Sequence, residues 1–246
     1  MDKISYLKEQ IFNKKDLTLQ NFMIFFSEIN KYAKLRDKTV LDIGCGLGNF
    51  LIICNIFGKA KECYGLDSAM GRGSKKDILE IFKKNIDELN LNNMHIIKAD
   101  ILDHDFGVLK FDVINATYSL HHIILTQKNL LKEKDVRNET INFFKKILGL
   151  LKDNGVFVIR ELAGNNLKIY SNIIRKIYKL GPDNVDYSTK HSAKEYSRLL
   201  KKAGFKKVLI KYTAPIVRSI DLSFILGNRI GSFLTNYPYH IFAYKG

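Results

Sequence analysis

The sequence predicts an α/β domain organised around a doubly wound, largely parallel sheet. From residue 38 onward, short apolar runs bounded by turn residues alternate with longer helical patterns, the rhythm of strand–helix–strand crossovers. The first run, Val40-Leu41-Asp42-Ile43, leads into glycines at 44, 46 and 48 and then into an apolar helical stretch from Asn49. Such a strand–loop–helix unit lets the backbone approach a ligand closely and turns free helical N–H groups toward it. Its 246 residues, 46% of them apolar, suffice for one medium domain with a real core and room for a cap.

Ahead of the sheet, Leu17, Leu19, Phe22, Phe25, Phe26, Ile29 and Tyr32 recur at helical spacing. Strands are expected near 38–43, 62–67, 94–99, 111–116, 155–161, 205–212 and 238–244, and helices near 47–57, 74–90, 132–152, 167–179 and 192–203. The long helix before Gly155 is expected to stop at Lys152-Asp153-Asn154-Gly155, with the glycine taking the left-handed turn. Lys202-Ala203-Gly204-Phe205 repeats that punctuation. Two connections are unusually long: 164–192, with Tyr170, Tyr178, Pro182 and Tyr187, and 213–235, with Phe224, Leu226 and Phe233. Long connections in compact domains are commonly functional lids.

A formal net charge of +15 invites contact with phosphates. Yet lysine outnumbers arginine about four to one, and Lys75-Lys76, Lys83-Lys84, Lys145-Lys146, Lys201-Lys202 and Lys206-Lys207 are dispersed over amphipathic helices. A solvated basic face is therefore preferred to an RNA-binding surface. Cys45, Cys54 and Cys63 form no C-x-x-C pair, so neither a zinc site nor a disulfide framework is expected. No uncharged apolar run reaches spanning length, since Asp221 and Arg229 interrupt the stretch from Ile220 to Leu234. The N-terminus lacks the apolar core of a signal peptide, and a cytoplasmic location is expected.

The glycine spacing selects among ligands. A dinucleotide fingerprint requires G-x-G-x-x-G, but Gly48 stands two positions past Gly46 and Asn49 occupies the third-glycine position. A P-loop would end in Gly-Lys-Ser/Thr, which is absent. Asp42-Ile43-Gly44-Cys45-Gly46-Leu47-Gly48 instead resembles motif I of the class I S-adenosylmethionine-dependent methyltransferases. A second motif, Glu62-Cys63-Tyr64-Gly65-Leu66-Asp67-Ser68, closes on Asp67, nineteen residues beyond Gly48, where a carboxylate accepts both hydroxyls of a ribose. His95-Ile96-Ile97-Lys98-Ala99-Asp100-Ile101 is the third. The fourth, Phe111-Asp112-Val113-Ile114-Asn115-Ala116-Thr117-Tyr118-Ser119-Leu120-His121-His122, is similar to small-molecule methyltransferases of the quinone-methylating type. Gly155-Val156-Phe157-Val158-Ile159-Arg160-Glu161 is the fifth.

This resemblance implies a Rossmann-like seven-stranded sheet with the last strand antiparallel, and S-adenosylmethionine as cofactor. It implies that Asp42, Gly44, Gly46 and Gly48 shape the methionine end of the site, with Cys45 and Asn49 of the same loop also binding the cofactor. Asp67 would meet the ribose, Asp100 and Ile101 the adenine, and Asn115 to Tyr118 the sulfonium, with the Tyr118 ring facing that cation, while Ser68 would bind elsewhere on the cofactor. Residues 1–36, 164–192 and 213–235 would form a mostly helical cap on a cofactor-binding core at 37–163. The segment Ser68-Ala69-Met70-Gly71-Arg72-Gly73-Ser74 departs from the family, being longer and richer in glycine.

Methyl transfer from a sulfonium is an in-line displacement, so the protein mainly aligns the partners and excludes water. A base is needed where the acceptor must lose a proton. His121 and His122 directly follow the fourth strand and Glu161 ends the fifth, which makes these three the catalytic candidates. His191 is a more remote candidate, and His95, His104 and His240 read as structural. In the resembled class, nucleobase amine methylation uses an Asn/Asp-Pro-Pro-aromatic motif where this chain has Asn115-Ala116-Thr117-Tyr118. No cysteine lies near the fourth or fifth strand for cytosine C5 chemistry. The Lys-Asp-Lys-Glu constellation of ribose methylation and a carboxylate cluster for a metal are also absent. The expected acceptor is a small molecule methylated on oxygen, nitrogen or carbon, without a metal. A tRNA or rRNA methyltransferase and a non-catalytic cofactor-binding protein are the alternatives.

Overall fold

The computed structural model describes residues 2–12, 16–69, 77–124, 134–162, 191–213, 216–217, 220–221, 225, 227–235 and 238–246. Along the chain run α1 (Lys3–Tyr6), a π-helical turn (Leu7–Ile11), α2 (Asp16–Ala33), β1 (Thr39–Ile43), α3 (Asn49–Ile56), β2 (Glu62–Asp67), α4 (Ile78–Glu88), β3 (Met94–Lys98), β4 (Phe111–Thr117), α5 (Leu120–Ile123) and α6 (Lys134–Leu150). There follow β5 (Leu151–Glu161), α7 (Ala193–Ala203), β6 (Lys207–Tyr212), β7 (Ile216–Val217), β8 (Ile220–Asp221), α8 (Arg229–Thr235) and β9 (Tyr239–Tyr244). Seven strands form one sheet in the order β3-β2-β1-β4-β5-β9-β6, the last two antiparallel to each other. β7 and β8 pair separately. The order reverses between β1 and β4, the switch point at which open α/β sheets bind ligands. The chain divides into two compact units, Met1–Ala116 with Leu150–Val156, and Thr117–Gly149 with Phe157–Gly246.

In the first unit β1 is buried along its whole length, as a central strand of a parallel sheet must be. It pairs in parallel with β2, Asp42 opposite Gly65, and with β4, Asp42 opposite Asn115. Apolar residues cover all sides of α3, and Phe50, Leu51, Ile52, Ile53 and Cys54 are buried. The helical spacing ahead of the sheet yields α2, whose Phe25, Phe26 and Ile29 are buried. The Phe25 ring lies 5.8 Å from that of Phe50 on α3. Tyr6 donates to Asn85 of α4 at 3.1 Å, tying the N-terminal turn to the same layer.

In the second unit α6 buries Phe143, Phe144 and Ile147. Phe144 meets Phe157 of β5 and Tyr196 of α7 at 6.1 and 6.2 Å. A capping box of Ser192 and Glu195 starts α7, and Gly204 at φ 111° ends it, as the punctuation Lys202-Ala203-Gly204-Phe205 predicts. The junction of α6 and β5 differs from expectation: the helix stops at Leu150, and β5 already begins at Leu151. The left-handed residue is Asn154, at φ 60°, rather than Gly155. Asparagine tolerates that region through its short polar side chain. Gly155 is required for another reason, because an added Cβ would stand 2.8 Å from the Lys152 carbonyl oxygen.

Several expectations lie outside the described residues: the helix at 167–179, Tyr170, Tyr178, Pro182, Tyr187, Phe224, Leu226 and the loop 70–76. Among the described residues no helix is long and apolar enough to cross a membrane. None of their His, Cys, Asp and Glu side chains form a group that could hold a metal ion. All three cysteines are buried thiols.

Candidate active site

The glycine loop of the first unit is held in a left-handed path, with Gly44, Gly46 and Gly48 at φ 72°, 52° and 72°. The Gly44 and Cys45 N–H groups donate to the Leu66 carbonyl at 2.7 and 3.2 Å, which fastens the loop to the end of β2. Gly48 caps α3, and a side chain there would overlap the Phe82 ring of α4. Asn49 opens the helix, and its Oδ1 is buried with no hydrogen-bond partner among the described residues.

Two carboxylates frame this loop. Asp42 is 4% exposed and accepts from the Asn115 side-chain amide at 2.7 Å. Burial pushes its carboxyl up to about 7, against the pull of the Asn115 hydrogen bond and with the Asp67 charge adding to the rise. Asp67, also buried, accepts from Gly46 N–H at 3.0 Å and from Ala69 N–H at 2.8 Å, one bond to each oxygen. Ser68 follows at the strand end. Asp100 is exposed, with Oδ1 accepting from Leu102 N–H at 2.9 Å, while Ile101 is buried. The backbone connects these two motifs, since Ala99 N–H donates to the Asp67 carbonyl at 3.2 Å.

The second unit carries the expected acid–base residues. Tyr118 sits at φ 54°, unusual for a residue with a Cβ. Its N–H donates to the Arg160 carbonyl at 2.9 Å, and the Arg160 guanidinium lies 5.2 Å from its ring centroid. The ring expected to serve a sulfonium is thus already placed against a protein cation. His121 and Glu161 are brought together, with Nδ1 at 3.0 and 3.2 Å from the two carboxylate oxygens and both side chains buried. His122 is exposed, and its ring is tilted against that of His121 with centroids 4.0 Å apart. His95 pairs with Glu62 at 2.7 Å, and His104 packs edge-on against Phe106. Sequence reasoning missed Tyr196, a fully buried tyrosine beside His191; its place on an amphipathic helix gives no sign beyond that of a core residue.

The methyltransferase-domain family matches residues 17–210 of this chain. An uncharacterized protein of Rickettsia prowazekii is 26% identical over 226 residues, spanning 86% of this chain and 80% of its own length. The carboxy-S-adenosyl-L-methionine synthase of Campylobacter jejuni is 25% identical over 199 residues, 73% of this chain and 74% of its own. Among solved structures, the magnesium protoporphyrin IX methyltransferase of Synechocystis with bound SAH is similar at a TM-score of 0.60 and 14% identity, over 98% of this chain and 97% of that one. A SAM-dependent methyltransferase of Aquifex aeolicus gives a TM-score of 0.56 at 14% identity, over 90% and 89%. At such identities these two likenesses establish the fold, and the family match establishes the rest: this chain belongs to the methyltransferase-domain family and is an S-adenosylmethionine-dependent enzyme.

Proposed function

We propose that this enzyme methylates a small molecule at an atom that must give up a proton, with His121 as general base. The buried His121–Glu161 pair carries this reading. A carboxylate at Nδ1 holds the imidazole proton there and leaves Nε2 as the basic nitrogen. A base so withdrawn from water suits a small acceptor that is itself enclosed. The missing proline motif after Asn115 and the Synechocystis neighbour, named for a porphyrin, point the same way.

The cofactor fits the first unit on three counts. Asp42 is a buried carboxylate made unstable by desolvation, which a nearby cation such as the methionine ammonium relieves. Asp67 uses one lone pair of each oxygen on Gly46 and Ala69, which keeps further acceptor sites for ribose hydroxyls. Asn49 contributes a buried oxygen in want of a donor. S-adenosylmethionine supplies a methyl group already activated on sulfur. The chain's own part is then to bind, orient and deprotonate. Asp42 and Asn115 hold the charged end, Asp67 the ribose, and Asp100 with Ile101 the adenine. His121 takes the acceptor proton at Nε2 while Glu161 stabilises the imidazolium that results.

The test supplies methyl-labelled S-adenosylmethionine and purified protein to a metabolite extract and, separately, to total RNA. Label in a small molecule, abolished by His121→Ala, is expected. Label in RNA alone would overturn the small-molecule reading in favour of a tRNA or rRNA substrate.

A further inference from the structure

In the second unit two polar atoms, Nε2 of His191 and Oη of Tyr196, are buried with no hydrogen-bond partner among the described residues. Their rings stand together, centroids 5.9 Å apart and nearly perpendicular, on side chains 8% and 1% exposed. Leaving a buried polar group unmet is costly, so a pair of them in one place demands a reason. Neither results from a loose backbone. Tyr239, fully buried, donates its hydroxyl to the His191 carbonyl at 2.8 Å. The next residue, Ser192, is locked by the capping box, its N–H donating to Glu195 at 2.9 Å. Tyr196 lies near the start of the same helix and packs on Phe144. Two unsatisfied polar groups are therefore presented by a rigid element.

The chemistry of the pair narrows what it takes. Burial holds the Tyr196 phenol well above its ordinary range, and the Glu161 charge adds to the effect, so it remains an O–H donor. Burial pulls His191 below its ordinary value, against Glu195 and Glu161, so its imidazole is neutral. The same Glu161 charge disfavours an anion beside these groups.

We infer that His191 and Tyr196 anchor the methyl acceptor through an uncharged hydroxyl, which makes the acceptor class a neutral alcohol or phenol. A hydroxyl accepts from Tyr196 and bonds Nε2 of His191 in either tautomer, so one ligand group satisfies both orphans. Carboxylate and phosphate acceptors are disfavoured. This rests on the small-molecule reading above.

The experiment titrates the full chain with phenol, toluene and benzoate while following the imidazole NMR signals. The His191 signal is assigned by its loss in His191→Gln. Phenol is expected to shift that signal saturably, with toluene and benzoate at least tenfold weaker. Tyr196→Phe should weaken phenol at least tenfold without lowering the melting temperature, since the hydroxyl it removes has no partner. Equal binding of phenol and toluene, an unmoved His191 signal, or unchanged phenol affinity in Tyr196→Phe would each overturn the inference. S-adenosylmethionine titration and methyl transfer by the same wild-type sample keep the two readings apart. Transfer to small molecules without phenol binding sinks only the hydroxyl anchor. Phenol binding at His191 with label in RNA alone sinks the small-molecule reading.

Discussion

At Gly48 the backbone is left-handed and the Phe82 ring fills the space a side chain would need, whereas at Gly46 the nearest atom to an added Cβ is Ile78 Cδ1 at 3.4 Å. Gly48→Ala therefore meets both conformational strain and overpacking and is expected to cost about 2–4 kcal/mol. Gly46→Ala meets mainly strain, about 1–2 kcal/mol; urea denaturation of the two variants checks the order. His121→Ala should lower kcat by about 10²–10⁴ with cofactor affinity kept, while exposed His122→Ala should change kcat far less. Equal losses in single-turnover assays would contradict the assignment of the base. These residues differ in how far the sequence announces them. The aspartates and glycines of the loop are legible because their spacing is fixed by local backbone geometry. The partnership of His121 with Glu161 is not, because forty positions separate them and only the sheet brings them together. The orphaned atoms of His191 and Tyr196 are equally silent, since a sequence displays a polar side chain and not its missing partner.

The alternation of strands and helices was readable because parallel strands demand continuous apolar runs and their covering helices demand stripes. Element ends were less so. The helix expected to run to residue 152 ends at Leu150, and the left-handed residue, Asn154, lies within β5. Gly155 is needed for space, because an added Cβ would meet the Lys152 carbonyl and the Leu151 side chain, while asparagine's short polar side chain lets Asn154 take the left-handed position. The start of α7 falls where the helix near 192–203 is expected, and the structure shows Ser192 and Glu195 capping it. Ser192→Ala is expected to destabilise by about 0.5–2 kcal/mol, read from thermal melting. It should also weaken binding at His191, because the cap fixes the backbone that carries that ring.

Across the whole molecule two carboxylates give stability opposite dependences on pH. Asp42 has a folded value of about 7 against 3.8 unfolded, so its contribution is full below 3.8 and is lost as pH rises toward about 7. For Asp112, burial pushes the carboxyl up, but hydrogen bonds from Lys152, Thr39 and Lys38 outweigh it and hold it below its ordinary value. Its contribution is present above 3.8 and disappears as pH falls through that lowered value. A cation bound beside Asp42 reverses the first effect, so S-adenosylmethionine affinity should rise as pH increases through about 7, by up to about tenfold per unit below it. The most direct measurement is calorimetric titration of the protein with S-adenosylmethionine and S-adenosylhomocysteine, beside Asp67→Ala. Micromolar binding that the substitution weakens at least tenfold, about 1.4 kcal/mol, is expected. Binding that is indifferent to Asp67, or no binding of either ligand, would contradict the assignment of the cofactor site.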